Sequence, residues 1–479
     1  MFQAQVARGD SLASKPKVGL LGLYLDLYDR AVPDIRPRID GFYATIAGEL
    51  AEHGLEVVTA PVCRLAPEFE AAVKSFERAD AEAIITLHLA YSPSLESCDG
   101  LAHTKLPLIV LDTSPALEYG PEQDPAELMF NHGIHGVQDL CNLLLRKGKA
   151  FQIEAGHWRH SDVLDRVAAW ARAARLAARM QRARVGRIGK PFVGMGDFAV
   201  PDAVLRDTIG IETVTADASD LHGRVPAPDD EEVEAEVAED ATRFELSEVT
   251  PAAHRRAVRA GLAVRHWLRH HDLSAFTFNF LSIDRACGLP TVPFLEASKA
   301  MAAGIGYAGE GDVLTAALVG ALASVHPQTT FTEMFCPDWA GERILVSHMG
   351  EMNVDLCAAQ PRLREMPFPW TDAENPVFAV GRFREGRAVL VNLAPVSEDA
   401  YTLIVAPCTV LEVEGEDRHA DLIHGWFRPE MPVADFLAAF SRAGGTHHSA
   451  LVYGDVASEV AKFGRLMGWN VVVLGGAGA

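Results

Sequence analysis

The sequence predicts an α/β protein: two Rossmann-like, parallel-sheet domains followed by a C-terminal, mainly antiparallel, barrel-like β domain. Three observations carry this expectation. Strand and helix patterns alternate through residues 17–114, and they alternate again from residue 184 towards 325. After His326 the texture changes to short apolar runs separated by polar turns, the mark of antiparallel pairing. A chain of 479 residues exceeds what one hydrophobic core serves. The boundaries are drawn at 1–162, 163–325 and 326–479.

Each element follows from its pattern. KVGLLGLYLDL (17–27) reads as a strand, 38–53 as an amphipathic helix and LEVVTAPV (55–62) as a second strand, a β-α-β opening. A helix at 68–78 and the strands AEAIITLHLA and LPLIVLDTS repeat it, which argues for a parallel sheet with helices on its faces. Functional residues are expected on loops at the carboxyl ends of such strands. Residues 161–182 carry helical spacing, and RVGRIGKPFVGMGD (184–197) looks like a strand with a turn-rich exit. The run 229–240 holds eight acids and no base and reads as a solvated helix or loop face. A long Arg/His-rich helix (250–271) and the strand FTFNFLS complete the second unit. RILVSHM, PVFAVGRF, RAVLVNLA and YTLIVAP are short strands of the third, which closes with helices near 432–442 and 455–467 and the strand NVVVLG.

Composition narrows the function classes. The formal net charge of −22 would repel phosphate backbones and anionic lipid, so neither nucleic acid nor a membrane surface is an expected partner. Seven cysteines without a C-x-x-C pair fit reduced thiols and a cytoplasmic protein. The first residues lack the apolar stretch of an export signal.

Four segments concentrate residues able to do chemistry: YAGEGD with Glu310, FTEMF with Glu333, LVSHMGE with His348, and GGTHHS with His447 and His448. Two carboxylates and two imidazoles form a mixed oxygen and nitrogen donor set that suits Mn²⁺, Co²⁺ or Mg²⁺ with positions open to substrate oxygens. The competing structural readings are plain. Asp312 can cap the helix that follows, with Glu310 a carboxylate favoured by its dipole. His348 in an apolar strand can be a hydrogen-bonded core histidine. Glu333 lies among aromatic neighbours, where an unpaired carboxylate is costly. Neighbours in an extended segment face opposite ways, so one of His447 and His448 is expected to coordinate and the other to meet substrate.

Other patterns fail their context. GIGYAG (304–309) satisfies G-x-G-x-x-G but follows a helix-like segment, not a strand. His266 and His270 stand four apart without the glutamate of a metalloprotease, on what reads as a surface helix. No G-x-S-x-G and no G-K-[ST] phosphate loop occurs.

In order and wording the four segments resemble the L-arabinose isomerase family, of the L-arabinose/L-fucose isomerase superfamily. NHGIHG (131–136) is similar to that family's histidine loop and AGHW (155–158) to its Gly-His-Trp. The resemblance implies that Glu310, Glu333, His348 and His448 hold one divalent metal, most simply Mn²⁺, with Glu310 and Glu333 also moving protons. It implies substrate contacts for His135, His132 and His447, with His135 delivered from a neighbouring subunit of a trimer-based homo-oligomer, commonly a hexamer. The implied activity is aldose-ketose isomerisation of an open-chain sugar or sugar derivative through an enediolate. The N-terminal half departs from the family: GLYLDLYD, His132 and DTSP stand where it carries other residues, at positions expected to read sugar hydroxyls. Such departures leave room for an epimerase or another enediolate-forming enzyme, and the paired α/β lobes for a sugar-binding or regulatory protein without catalysis.

Overall fold

The computed structural model describes residues 15–475, and the chain divides into two units, Ser14–Ala178 and Arg179–Ala479. Five strands build the first: β1 (Lys17–Leu23), β2 (Glu56–Thr59), β3 (Ala83–His88), β4 (Leu108–Asp112) and β5 (Gln152–Ala155). All are parallel, in the order β2-β1-β3-β4-β5. Every residue of β3 is buried, as a central strand of a helix-covered sheet requires. The chain order reverses between β1 and β3, so the cleft of this sheet opens at their carboxyl ends. The expected strand at 55–62 stops at Thr59, short of Pro61, whose nitrogen has no proton for a ladder. Helix Val163–Gln181 spans the division between the two units at Ala178 and Arg179.

The second unit opens with β6 (Arg184–Ile188) and β7 (Glu212–Ala216). Its next strand, β8 (Glu245–Glu248), leaves for another sheet, and β9 (Ala275–Phe278) and β10 (Gly306–Gly309) complete a parallel sheet in the order β10-β9-β6-β7. Then come β11 (Thr329–Asp338), β12 (Arg343–Ser347), β13 (Arg362–Glu365), β14 (Val377–Arg382), β15 (Gly386–Pro395), β16 (Tyr401–Val410), β17 (Ile423–Pro429), β18 (His448–Tyr453) and β19 (Asn470–Val473). Pairing runs β16-β15-β18-β11-β12-β17, and β17 pairs back onto β16, closing six strands into a barrel. Closure removes two sheet edges and encloses a core that includes Leu390, Ile404, Phe427 and Leu451. The fold is therefore the α/β class expected, with two parallel sheets and an antiparallel barrel.

Two expectations need correction. The acidic run forms helix Glu231–Arg243, but it is not wholly solvated: Val233, Glu236 and Asp240 are buried. Arg265 donates to both oxygens of Glu236 at 2.8 Å and to both of Glu296 at 2.9 and 2.8 Å. Lys299 bonds Asp240 at 2.5 Å and also reaches Glu236, while His254 contacts Asp240 at 2.9 Å. Charge cannot enter an apolar core unpaired, so the acids face the bases of neighbouring helices. Helix Pro251–His270 is likewise no surface helix, since Arg265, Trp267 and most of its apolar residues are buried. Its His266 ring meets Glu232 instead of a metal partner. No helix among the described residues is long and apolar enough to cross a membrane.

Candidate metal and active site

Sheet edge and barrel rim meet within the second unit to make the site. Glu310 leaves the end of β10 and precedes helix Val313–Ala323. Its φ of 64° is a left-handed conformation that residues other than glycine rarely adopt. The surroundings enforce it: Thr277 Oγ1 accepts from the Gly311 amide at 3.0 Å and donates to the Gly309 carbonyl at 3.2 Å, and Phe192 N donates to the Glu310 carbonyl at 2.9 Å. On the barrel, Glu333 of β11 lies in register between Ser347 of β12 and His448 of β18. His348 follows Ser347 directly. One register of three adjacent strands thus aligns Glu333 with His448, and His348 stands one residue beyond that register, at the end of β12.

The donor atoms converge. His448 Nε2 is 2.9 Å from Glu333 Oε1 and 3.5 Å from Glu310 Oε2, and His348 Nε2 is 3.3 Å from Glu333 Oε1. His447 Nε2 stands 3.7 Å from Glu310 Oε2. Donor atoms of Glu310, Glu333, His447 and His448 all lie within 4.8 Å of one another. His348 touches this group through Glu333, so all five residues singled out in the second half share one site. His447 and His448 do not diverge as strand neighbours do. His447 precedes β18, and the two rings sit 4.3 Å apart between centroids.

Three acids beyond that set orient the imidazoles. Each ring places Nδ1 against a carboxylate: His448 against Asp312 at 2.9 Å, His348 against Glu351 at 2.5 Å, His447 against Asp197 at 2.6 Å. The Nδ1 proton is thereby committed, and Nε2 is turned towards the glutamates in every case. Asp312 keeps the capping role as well, its other oxygen accepting from Thr315 N at 2.9 Å. Tyr307 donates to Glu351 at 2.5 Å and so holds that carboxylate. Asp197 and Glu351 escaped the sequence reading. The i, i+3 spacing of His348 and Glu351 was the one available signal, whereas Asp197 lies 250 residues from its partner.

Five carboxylates thus surround three imidazoles, and among the described residues no lysine or arginine is paired with any of the five. Burial opposes ionisation of Glu310, but contact with His447 and His448 outweighs it and holds the carboxyl at about 2. Glu333 is lowered in the same way by His348 and His448. Burial likewise resists charging His348, yet Glu351 and Glu333 lift it to about 10. Such a field attracts any cation. Glu310 Oε2 and His448 Nε2 are moreover buried without a hydrogen-bond partner although 3.5 Å apart. A neutral imidazole whose Nδ1–H is held by a carboxylate presents an Nε2 lone pair to the space it shares with Glu310 and Glu333, so the donor set fits a divalent metal.

The N-terminal histidines stand in the other unit, at the loops following its strands. His132 Nδ1 bonds the Leu128 carbonyl at 2.9 Å and its Nε2 meets Tyr28 Oη at 3.1 Å. His135 is exposed, its ring 5.5 Å from that of His132 and 6.4 Å from that of Tyr91. Gly133 lets this loop sit close, since a Cβ there would fall 2.2 Å from the His88 carbonyl oxygen.

Comparison with known proteins agrees with this layout. Models of the L-arabinose isomerase N-terminal, central and C-terminal domains match residues 42–182, 202–327 and 328–470. An L-arabinose isomerase of Herpetosiphon aurantiacus is 28% identical, over 79% of this chain and 77% of its own length. That of Geobacillus thermodenitrificans is 26% identical over 82% and 80%, and that of Nocardioides sp. 26% identical over 90% of both. With all three domains matched in order along one chain, the protein belongs to the L-arabinose isomerase family of sugar isomerases.

Proposed function

We propose that the chain is a divalent-metal-dependent aldose-ketose isomerase acting on an open-chain sugar through an enediolate. The observation that carries this reading is the convergence of Glu310, Glu333, His348 and His448, with buried donor atoms left unpaired at their centre. These four would hold Mn²⁺, or Co²⁺ or Mg²⁺ in its place, and the ion would supply Lewis acidity to a carbonyl and its vicinal hydroxyl. One of Glu310 and Glu333, both ionised, takes the proton from the carbon beside the carbonyl and returns it to the neighbouring carbon. The other exchanges the proton between the two oxygens. Aldose becomes ketose with no net oxidation. Phe331, edge-on to the rings of both His348 and His448, makes the floor apolar and limits water there.

Replacing Glu310 or Glu333 with Gln tests the assignment. Each variant is expected to lose at least about a hundredfold in turnover at saturating Mn²⁺, the lower end of a positioned acid-base group's contribution. Undiminished turnover in both would discard it. The substrate is a separate matter, because Tyr28 and His132 make a neutral pair where the sequence departs from the family. A panel of aldoses run in deuterated water distinguishes isomerisation, which yields a ketose, from epimerisation, which yields another aldose carrying deuterium. We further propose a cytoplasmic setting, in keeping with seven free cysteines, and a trimer-based homo-oligomer in which His135 serves a neighbouring subunit.

A further inference from the structure

The segment leading out of β6 approaches the site at three points. Phe192 N holds the Glu310 carbonyl, Phe198 stacks on His448 at 4.8 Å with the rings 14° from parallel, and Asp197 reaches His447. The near end of the segment is fixed too, since Asn279 Nδ2 donates to the Lys190 carbonyl at 2.9 Å. Asp197 Oδ2 accepts from both the His447 backbone N–H at 3.0 Å and its Nδ1–H at 2.6 Å. A single oxygen thus grips main chain and ring together, which removes most of the ring's rotational freedom. The two histidines of the tandem are then unlike. His448 is fully buried between Glu333 and Glu310, while the His447 side chain is 36% exposed and, of those two glutamates, pairs with Glu310 at 3.7 Å.

We propose that Asp197 is a positioning residue for the reaction: it tethers His447 at the mouth of the site with Nε2 directed at the substrate oxygens, and leaves His448 to ligate the metal. This rests on the metal-site reading above. The physical reason is geometric. A ring held through Nδ1 by a carboxylate presents Nε2 in one direction, and a one-third exposed imidazole at the rim can meet a ligand entering from solvent while the buried one cannot.

The test separates metal affinity from turnover. Protein stripped by chelator is titrated with Mn²⁺ alone, and each reloaded variant is assayed on the aldose that the panel shows to react fastest. His448→Gln is expected to weaken Mn²⁺ binding about tenfold or more, whereas Asp197→Asn and His447→Gln stay within about threefold of the parent. Asp197→Asn should lower kcat by about ten- to a hundredfold, with an unchanged thermal midpoint, and the double variant Asp197→Asn/His447→Gln should be no slower than His447→Gln alone. Wild-type kcat in Asp197→Asn, multiplying losses in the double variant, or loss of Mn²⁺ in His447→Gln as large as in His448→Gln each overturn the proposal alone. A parent protein that binds no Mn²⁺ overturns the metal-site reading, and this proposal with it.

Discussion

Gly309, Glu310 and Gly311 show how narrow the tolerances of the site are. A Cβ on Gly309 would lie 2.6 Å from His348 Cε1, and one on Gly311, where φ is 88°, would lie 2.7 Å from the Pro191 Cα. Gly309→Ala therefore pushes directly on His348. If His348 is a ligand, this variant should bind Mn²⁺ about ten- to a hundredfold more weakly, as read by titration of the chelated protein. Unchanged affinity would favour His447 as the second imidazole ligand, an arrangement the 4.8 Å cluster also accommodates. Glu310, Glu333 and the histidine pair were legible because each is a metal-donor residue near glycine or at an apolar strand end, in segments that resemble the L-arabinose isomerase family. Asp197 and Glu351 were not, because an acid beside glycine or methionine resembles any surface acid until its partner is placed against it.

Helix Glu231–Arg243 illustrates the same limit for an element. Its run of acids looks uniform along the chain, yet two of them point inward because a thirteen-residue helix turns one face to its neighbours. Burial opposes the charge of Glu236, but Arg265 and Lys299 outweigh it and hold the carboxyl at about 2. Glu236→Gln leaves two buried cations short of a partner and should destabilise the protein by about 3–5 kcal/mol in urea titration at neutral pH. Acid exposes the same linkage. In the unfolded chain this carboxyl titrates near about 4.3, so its contribution is complete above that value and fades as pH falls towards the folded value. Wild-type urea midpoints should accordingly drop more steeply between about pH 5 and 3 than those of Glu236→Gln; parallel curves would assign the acid sensitivity to other groups.

For the whole molecule, the issue is whether one chain completes its own site. His135 is exposed in the N-terminal unit and makes no side-chain hydrogen bond among those described. If it serves a neighbour, His135→Ala and Glu310→Gln subunits, each inactive alone, should regain measurable turnover when dissociated together and reassembled, because some sites then draw both intact residues from different chains. Light scattering on the same samples should give the mass of a trimer or a multiple of it. Reassembly without any recovery would place His135 in its own subunit's site or outside the chemistry.

Periodicity and turn chemistry alone determined that the chain alternates strand and helix twice and then turns to short antiparallel strands, since those patterns record which faces are buried. Donor chemistry and the resemblance of four short segments to the L-arabinose isomerase family marked Glu310, Glu333, His348 and the His447–His448 tandem. Only the tertiary structure decided that these residues meet, that β17 closes on β16, and that three further acids set the direction of three imidazoles. The reason is that register and closure are properties of pairs of strands far apart in the chain, whereas local patterns constrain one strand at a time.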